Sequence, residues 1–207
     1  MRFLPLLGLA LMAGAFACCS DGPRLSAYEQ SVLQERFERD MALRSKDRSI
    51  LAPAVRARFT GLRYFPVDTT QRYRLPLVRA ALQETVRVSL HLGGSDPYVR
   101  LGHVDVPLDG GPYRLAVYRP ASNAGVLWLP FTDATSGRES YGGGRYLYPD
   151  TLADGRLVVD FNAAHNPNCD YNPDLYNCAL PPSENRLPVP VRAGEMKSGL
   201  LEAVATR

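Results

Sequence analysis

Long apolar runs are scarce in this chain. The one present, Phe3 to Ala17, is fifteen residues without a charge. No second run is long enough to span a bilayer, which excludes a polytopic helical membrane protein. Lysine is nearly missing, at 2 residues against 22 arginines, and there are only three histidines and one tryptophan among 207 residues. No Gly-x-Ser-x-Gly, no His-Glu-x-x-His and no Ser/His/Asp order occurs, so no common hydrolase signature is present. Concentrated positive charge is lacking too. Residues 24–114 carry 15 basic and 10 acidic side chains, and residues 115–207 carry 8 and 10. A nucleic-acid binder clusters stronger basic charge with aromatics, so nucleic acid is not an expected partner. What remains is 45% hydrophobic and 22% charged, the composition of an ordinary globular chain of one domain with a small appendage.

The single apolar run follows Arg2 and ends Ala15-Phe16-Ala17-Cys18. A charged start, a short apolar core and small residues before the break describe a secretory signal over 1–17. Cys18 directly after it resembles a bacterial lipoprotein box, in which the cysteine takes up lipid and becomes the mature N-terminus. Two or more acyl chains suffice for stable anchoring. Plain secretion after Ala17 and a retained anchor are the alternatives. The expectation is a membrane-anchored envelope lipoprotein facing the periplasm or exterior, in a diderm on the outer membrane, with residues 18–25 as tether. Cys169 and Cys178 lie nine apart in an Asn- and Pro-rich loop of this exported chain. A disulfide is the first reading, and a metal pair with His165 the second.

Ser26-Ala27-Tyr28-Glu29 has the form of a capping box, and Tyr28, Val32, Leu33, Phe37 and Met41 recur behind it at helical spacing. An amphipathic helix over 26–46 is expected to pack its apolar stripe on the body. From Leu62 on, short alternating segments are separated by turns such as Gly93-Gly94, Asp109-Gly110-Gly111, Asn123-Ala124-Gly125 and Asp154-Gly155. Arg72–Leu82 reads as one strand, Gly102 as a bulge and Val189–Ala193 as a closing strand. The fold class is mainly β, an antiparallel meander closing into a barrel or sandwich, in a single domain over 26–200 with a tail over 201–207.

Three polar segments break this alternation: Phe131–Leu147, Asp160–Asn172 and Leu180–Leu187. With Arg63–Asp68 and Ala193–Glu195 they resemble a domain-of-unknown-function family, the one numbered 1684, over roughly residues 29–197. That family usually has Thr at Ser140, Tyr at His165 and Cys-Pro at Cys178-Ala179. The resemblance implies domain boundaries and no activity.

At one rim of a meander the segments would gather Asp133, Glu139, Tyr141, Arg145, Asp160 and Asn162, with Glu184 and Arg186 arriving from the loop beyond the cysteines. These eight are the candidate ligand-binding residues. Facing carboxylates suit glycoside cleavage, whereas Asp/Glu–Arg pairs would simply lock the loops. Gly142-Gly143-Gly144-Arg145 fits either an anion nest or a bend into a strand. Asn168, Asp170, Asn172 and Asp174 alternate like a calcium loop, but Pro173 and Ala179 occupy its Gly and Glu positions, so Asx-turns are expected and no metal or cofactor. Trp128 reads as core. The functional expectation is a non-catalytic domain binding a small molecule or an envelope protein, with a carboxylate-dependent periplasmic hydrolase as the alternative.

Overall fold

The computed structural model of the protein describes residues 24–200. The signal segment, Cys18, most of the tether and the tail lie outside the described residues. Helix α1 spans Ala27–Arg44 and a short α2 spans Pro53–Arg56. Eight strands follow: β1 Arg72–Pro76, β2 Val78–Ser89, β3 Ser95–Leu108, β4 Gly111–Pro120, β5 Leu129–Phe131, β6 Arg145–Leu147, β7 Asp150–Thr151 and β8 Arg156–Asp160.

The α1 start is as the sequence requires. Ser26 Oγ accepts from the Glu29 N–H at 3.2 Å, and Glu29 Oε2 accepts from the Ser26 N–H at 2.7 Å, so two end donors are satisfied reciprocally. The packed face is not the expected one. Val32 and Leu43 are buried, but Leu33, Phe37 and Met41 are exposed. The helix instead lays Tyr28, Arg36 and Arg39 on the body. Arg36 donates to the Phe65 carbonyl at 3.0 Å, Arg39 to the Tyr171 hydroxyl at 3.1 Å, and Tyr28 to Asp160 at 2.8 Å. Long arginine stems cover apolar surface while their heads find carbonyls, so a polar face can be the buried one.

The sheets are antiparallel, in the orders β2-β3-β4, β1-β8-β7 and β5-β6, and among the described residues they close no barrel. The expected 72–82 strand is divided at Leu77 between two sheets: β1 pairs with the distant β8, Arg72 opposite Asp160, while β2 pairs with β3. The β3–β4 register shifts between Arg100 and Gly102, the expected bulge. Val189–Ala193 forms no strand. Its backbone carbonyls turn inward onto Arg145 instead of joining a ladder.

Val104, Val106, Leu115 and Val117 meet Phe131, Leu157, Val159 and Phe161 in the main core. The β4 residues of opposite parity, Ala116 and Tyr118, join Val88, Trp128, Tyr146 and Ala179 in a second cluster. The central stretch of β4, Leu115 to Tyr118, is therefore buried on both faces. A third cluster seats Tyr171 among Leu43, Leu51, Val55 and Phe59 beside α1.

Candidate functional site

The eight candidate residues separate into two pairs and four residues that stand apart. Asp133 and Arg145 form the first, both buried, with Arg145 Nη2 3.4 Å from Asp133 Oδ1. The guanidinium also donates to the carbonyls of Ala193 (2.6 Å), Val191 (2.8 Å) and Glu195 (3.3 Å). Asp133 accepts from the Val191 N–H at 2.7 Å and from Thr135 and Ser136. Burial lowers the Arg145 pKa, and the Asp133 carboxylate opposes that shift. The Gly-rich bend serves this placement: Gly144 has φ +84, and a Cβ there would stand 2.7 Å from the Phe131 carbonyl. Gly194, between two carbonyls that hold Arg145, has φ +77, and a Cβ there would lie 2.5 Å from the carbonyls of Phe161 and Ala164.

Asp160 and Asn162 form the second group, under the start of α1. Asp160 accepts from Tyr28 and lies 3.2 Å from Arg72 Nε, and Asn162 Nδ2 donates to the Asp68 carbonyl at 2.7 Å. Glu139 is paired at the surface with Arg192 at 2.9 Å. Glu184 accepts from Arg100 at 2.7 Å and from the Tyr118 hydroxyl. Arg186 is exposed and joins Thr132 through a backbone bridge. Tyr141 is half-buried, and burial raises its pKa.

The Asn/Asp loop is tied down by local and inward contacts. Cys169 and Cys178 are disulfide-bonded, with Cα atoms 6.0 Å apart. Asp170 accepts from Asn166 Nδ2 at 2.8 Å and from the Ser198 N–H at 3.2 Å, and Asn172 donates to the Ile50 carbonyl at 2.9 Å.

Beside this loop lies a cavity of about 300 Å³, against the second hydrophobic cluster. Tyr98, Trp128, Tyr146, Tyr148, His165 and Tyr176 contribute rings, Asn166, Asn168 and Asn177 amides, and Arg39 and Asp96 the charges. Trp128 is a core residue, as expected, and also a wall of the cavity: its ring lies 4.5 Å from that of Tyr98 and 5.2 Å from that of Tyr146. The Tyr146–His165 bridge brings Tyr146 of β6 against the Asn-rich segment. His165 stacks at 5.4 Å on Tyr148. Burial, and then the Arg39 charge, push its pKa down to about 4, so the ring is neutral at pH 7. With Nδ1 3.3 Å from the Ala163 carbonyl, the tautomer assigned is Nδ1–H, which leaves Nε2 an acceptor.

Behind the cavity wall sits a buried polar cluster with no counterpart among the expected site residues. Glu195 is fully buried, accepts from Tyr171 and from the Asn166 N–H at 3.2 Å, and lies 3.7 Å from Arg39 Nε. Burial pushes its pKa up to about 7 against the pull of Arg39, Tyr171 and Asn166. The cavity was hidden because its rings come from distant strands, and because helical periodicity placed Arg39 in solvent. The alternation Tyr146-x-Tyr148, at and just past the end of β6, was the available signal.

A family model described as a protein of unknown function, DUF1684, matches residues 57–196. The chain belongs to the DUF1684 family. The matched region begins after α1, later than the sequence resemblance suggested, so the DUF1684 match covers the sheets, the disulfide loop and Glu195 but not Arg39. An uncharacterised protein of Haloarcula marismortui, solved by NMR in solution, is 33% identical with a TM-score of 0.62, over 82% of this chain and 94% of that one. No curated protein matches.

Proposed function

We propose that this DUF1684 protein is an envelope lipoprotein that binds a small uncharged ligand without transforming it. The aromatic, amide-lined cavity beside the disulfide loop carries the reading. Ligand sites are concave with placed polar groups, and this wall combines ring faces with a polar share larger than the apolar one. Here Arg39 and Asp96 oppose each other in charge and His165 is neutral, so a neutral ring-shaped molecule with several hydroxyls suits the wall best. Ring faces take its C–H surfaces, and the asparagines take its hydroxyls.

The hydrolase alternative has less support. Glycoside cleavage uses two carboxyl groups about 5–9 Å apart. Asp133, Asp160, Glu139 and Glu184 are each held by arginine or tyrosine, and Asp96 is the one carboxylate among the described cavity residues. Titration with neutral monosaccharides, followed by the fluorescence of the single tryptophan, tests the binding. A Cys18→Ser variant tests the anchor, because it should leave the membrane fraction and lose labelling by a palmitate analogue; unchanged labelling would refute the anchor.

A further inference from the structure

A second, smaller cavity of about 220 Å³ lies between α1 and the segment after β8, and meets the first at Arg39 and His165. Its apolar wall is Val32, Ala163 and Ala164, and its polar wall is Arg36, Arg39 and Tyr64. Among the described residues, Arg36 Nε and the Tyr64 hydroxyl are buried without a hydrogen-bond partner, while Arg39 Nε faces Glu195 Oε2 at 3.7 Å. Buried donors in folded proteins almost always have acceptors, so two orphans beside one cavity call for a common one. The Arg36 guanidinium lies 4.5 Å over the Tyr64 ring, which fixes the two together. Its outer nitrogens are committed to the carbonyls of Phe65 and Asn162, so the head is pinned while Nε stays unspent. Burial raises the Tyr64 pKa, so the phenol remains a donor at neutral pH.

We infer that this cavity is a binding site for a small organic carboxylate, whose oxygens accept from Arg36 and Tyr64 beside the Arg39 charge while its short alkyl part lies on Val32, Ala163 and Ala164. Both unspent groups are donors, which selects an acceptor. The two guanidinium charges outweigh Glu35, the one acidic side chain of the wall, which sits on the exposed side of α1. Glu195 lies behind Arg39 and faces the same guanidinium. The apolar half of the lining distinguishes a carboxylic acid from inorganic phosphate, which would leave that surface wet. The site is separate from the neutral-ligand reading of the larger cavity and stands whether or not that reading does.

The test is a titration of the purified, isotope-labelled protein in chloride-free buffer with propionate, propionamide and inorganic phosphate, read by backbone NMR shifts. Propionate is expected to shift resonances of residues 36, 39, 64 and 163–165. Propionamide, which has the same shape without the charge, should do so at least tenfold more weakly. Tyr64→Phe removes one donor and keeps the ring, and should weaken propionate about fivefold or more. Arg36→Met should abolish binding. Equal binding of propionamide, tighter binding of phosphate, or unchanged propionate affinity in Tyr64→Phe would each overturn the assignment. Because Tyr64→Phe breaks no existing hydrogen bond, it keeps the test decisive even if Arg36→Met fails to fold.

Discussion

Arg145→Met separates a structural charge from a ligand-binding one. Arg145 is 0% exposed, and its guanidinium holds three backbone carbonyls and the buried Asp133. Methionine fills much of the stem and removes every donor. The Asp133 carboxylate is then buried without its counter-charge, which costs about 3–5 kcal/mol. Orphaned carbonyls cost about 1–3 kcal/mol each where water cannot reach them. These costs overlap because the chain relaxes, so the expected loss is about 4 kcal/mol or more. For a domain of this size that lowers Tm by roughly 10 °C. Urea unfolding followed by circular dichroism measures it. Asp133→Asn in the same background should recover part of the loss, because the stranded charge is gone, and the double-mutant cycle isolates the pair. A loss below about 1.5 kcal/mol for Arg145→Met would show that the arginine does not hold the 191–195 segment, and the structural account of these residues would fail.

Three further outcomes follow from the same geometry. Replacing Cys169 and Cys178 by serine opens a nine-residue loop and should cost about 2–3 kcal/mol on the chain-entropy model, while weakening ligand binding in the adjoining cavity; unchanged urea midpoints would contradict it. Glu195 binds its proton more tightly folded, with a pKa near 7, than at its ordinary value of 4.5. The folded state therefore holds more protons in that window, and this group's contribution to stability falls as pH rises from about 4.5 to 7. His165 acts oppositely between about 4 and 6.5. The Glu195 contribution is therefore read as the pH-dependent difference between wild type and Glu195→Gln, and a difference constant with pH would refute it. Phe37→Ala on the exposed side of α1 should change stability by less than about 0.5 kcal/mol, whereas Val32→Ala, at 5% exposure, should cost at least about 1 kcal/mol; equal effects would restore the apolar-stripe packing of the helix.

Local signals were legible and long-range partners were not. The capping box at Ser26, the turns at Gly93-Gly94 and Asp109-Gly110-Gly111, the Gly102 bulge and the Cys169–Cys178 bond all involve neighbours in sequence, and each appears in the structure. The face of α1 did not follow from periodicity, because the helix packs through Tyr28, Arg36 and Arg39, whose polar heads find distant partners, Asp160, Tyr171 and Glu195 among them. Strand β1 leaves its sequence neighbour β2 for β8, a non-local pairing that no alternation reveals. The polar motifs marked charged residues correctly as a class, yet Glu139 turned to Arg192 and Glu184 to Arg100, choices made by loop geometry. Glu195 stands in the Ala193–Glu195 motif, yet nothing in Ala-Gly-Glu signals a fully buried acid.

The most direct measurement is a neutral-monosaccharide titration of the purified protein, monitored through Trp128 fluorescence and the NMR shifts of Tyr98, Tyr146, His165 and Asn177. The account predicts saturable shifts confined to those cavity residues, with the sugar recovered unchanged after prolonged incubation. Shifts centred on the Asp133–Arg145 or Asp160–Asn162 groups, cleavage of a glycoside substrate, or no response from the cavity residues to any neutral ring would contradict it.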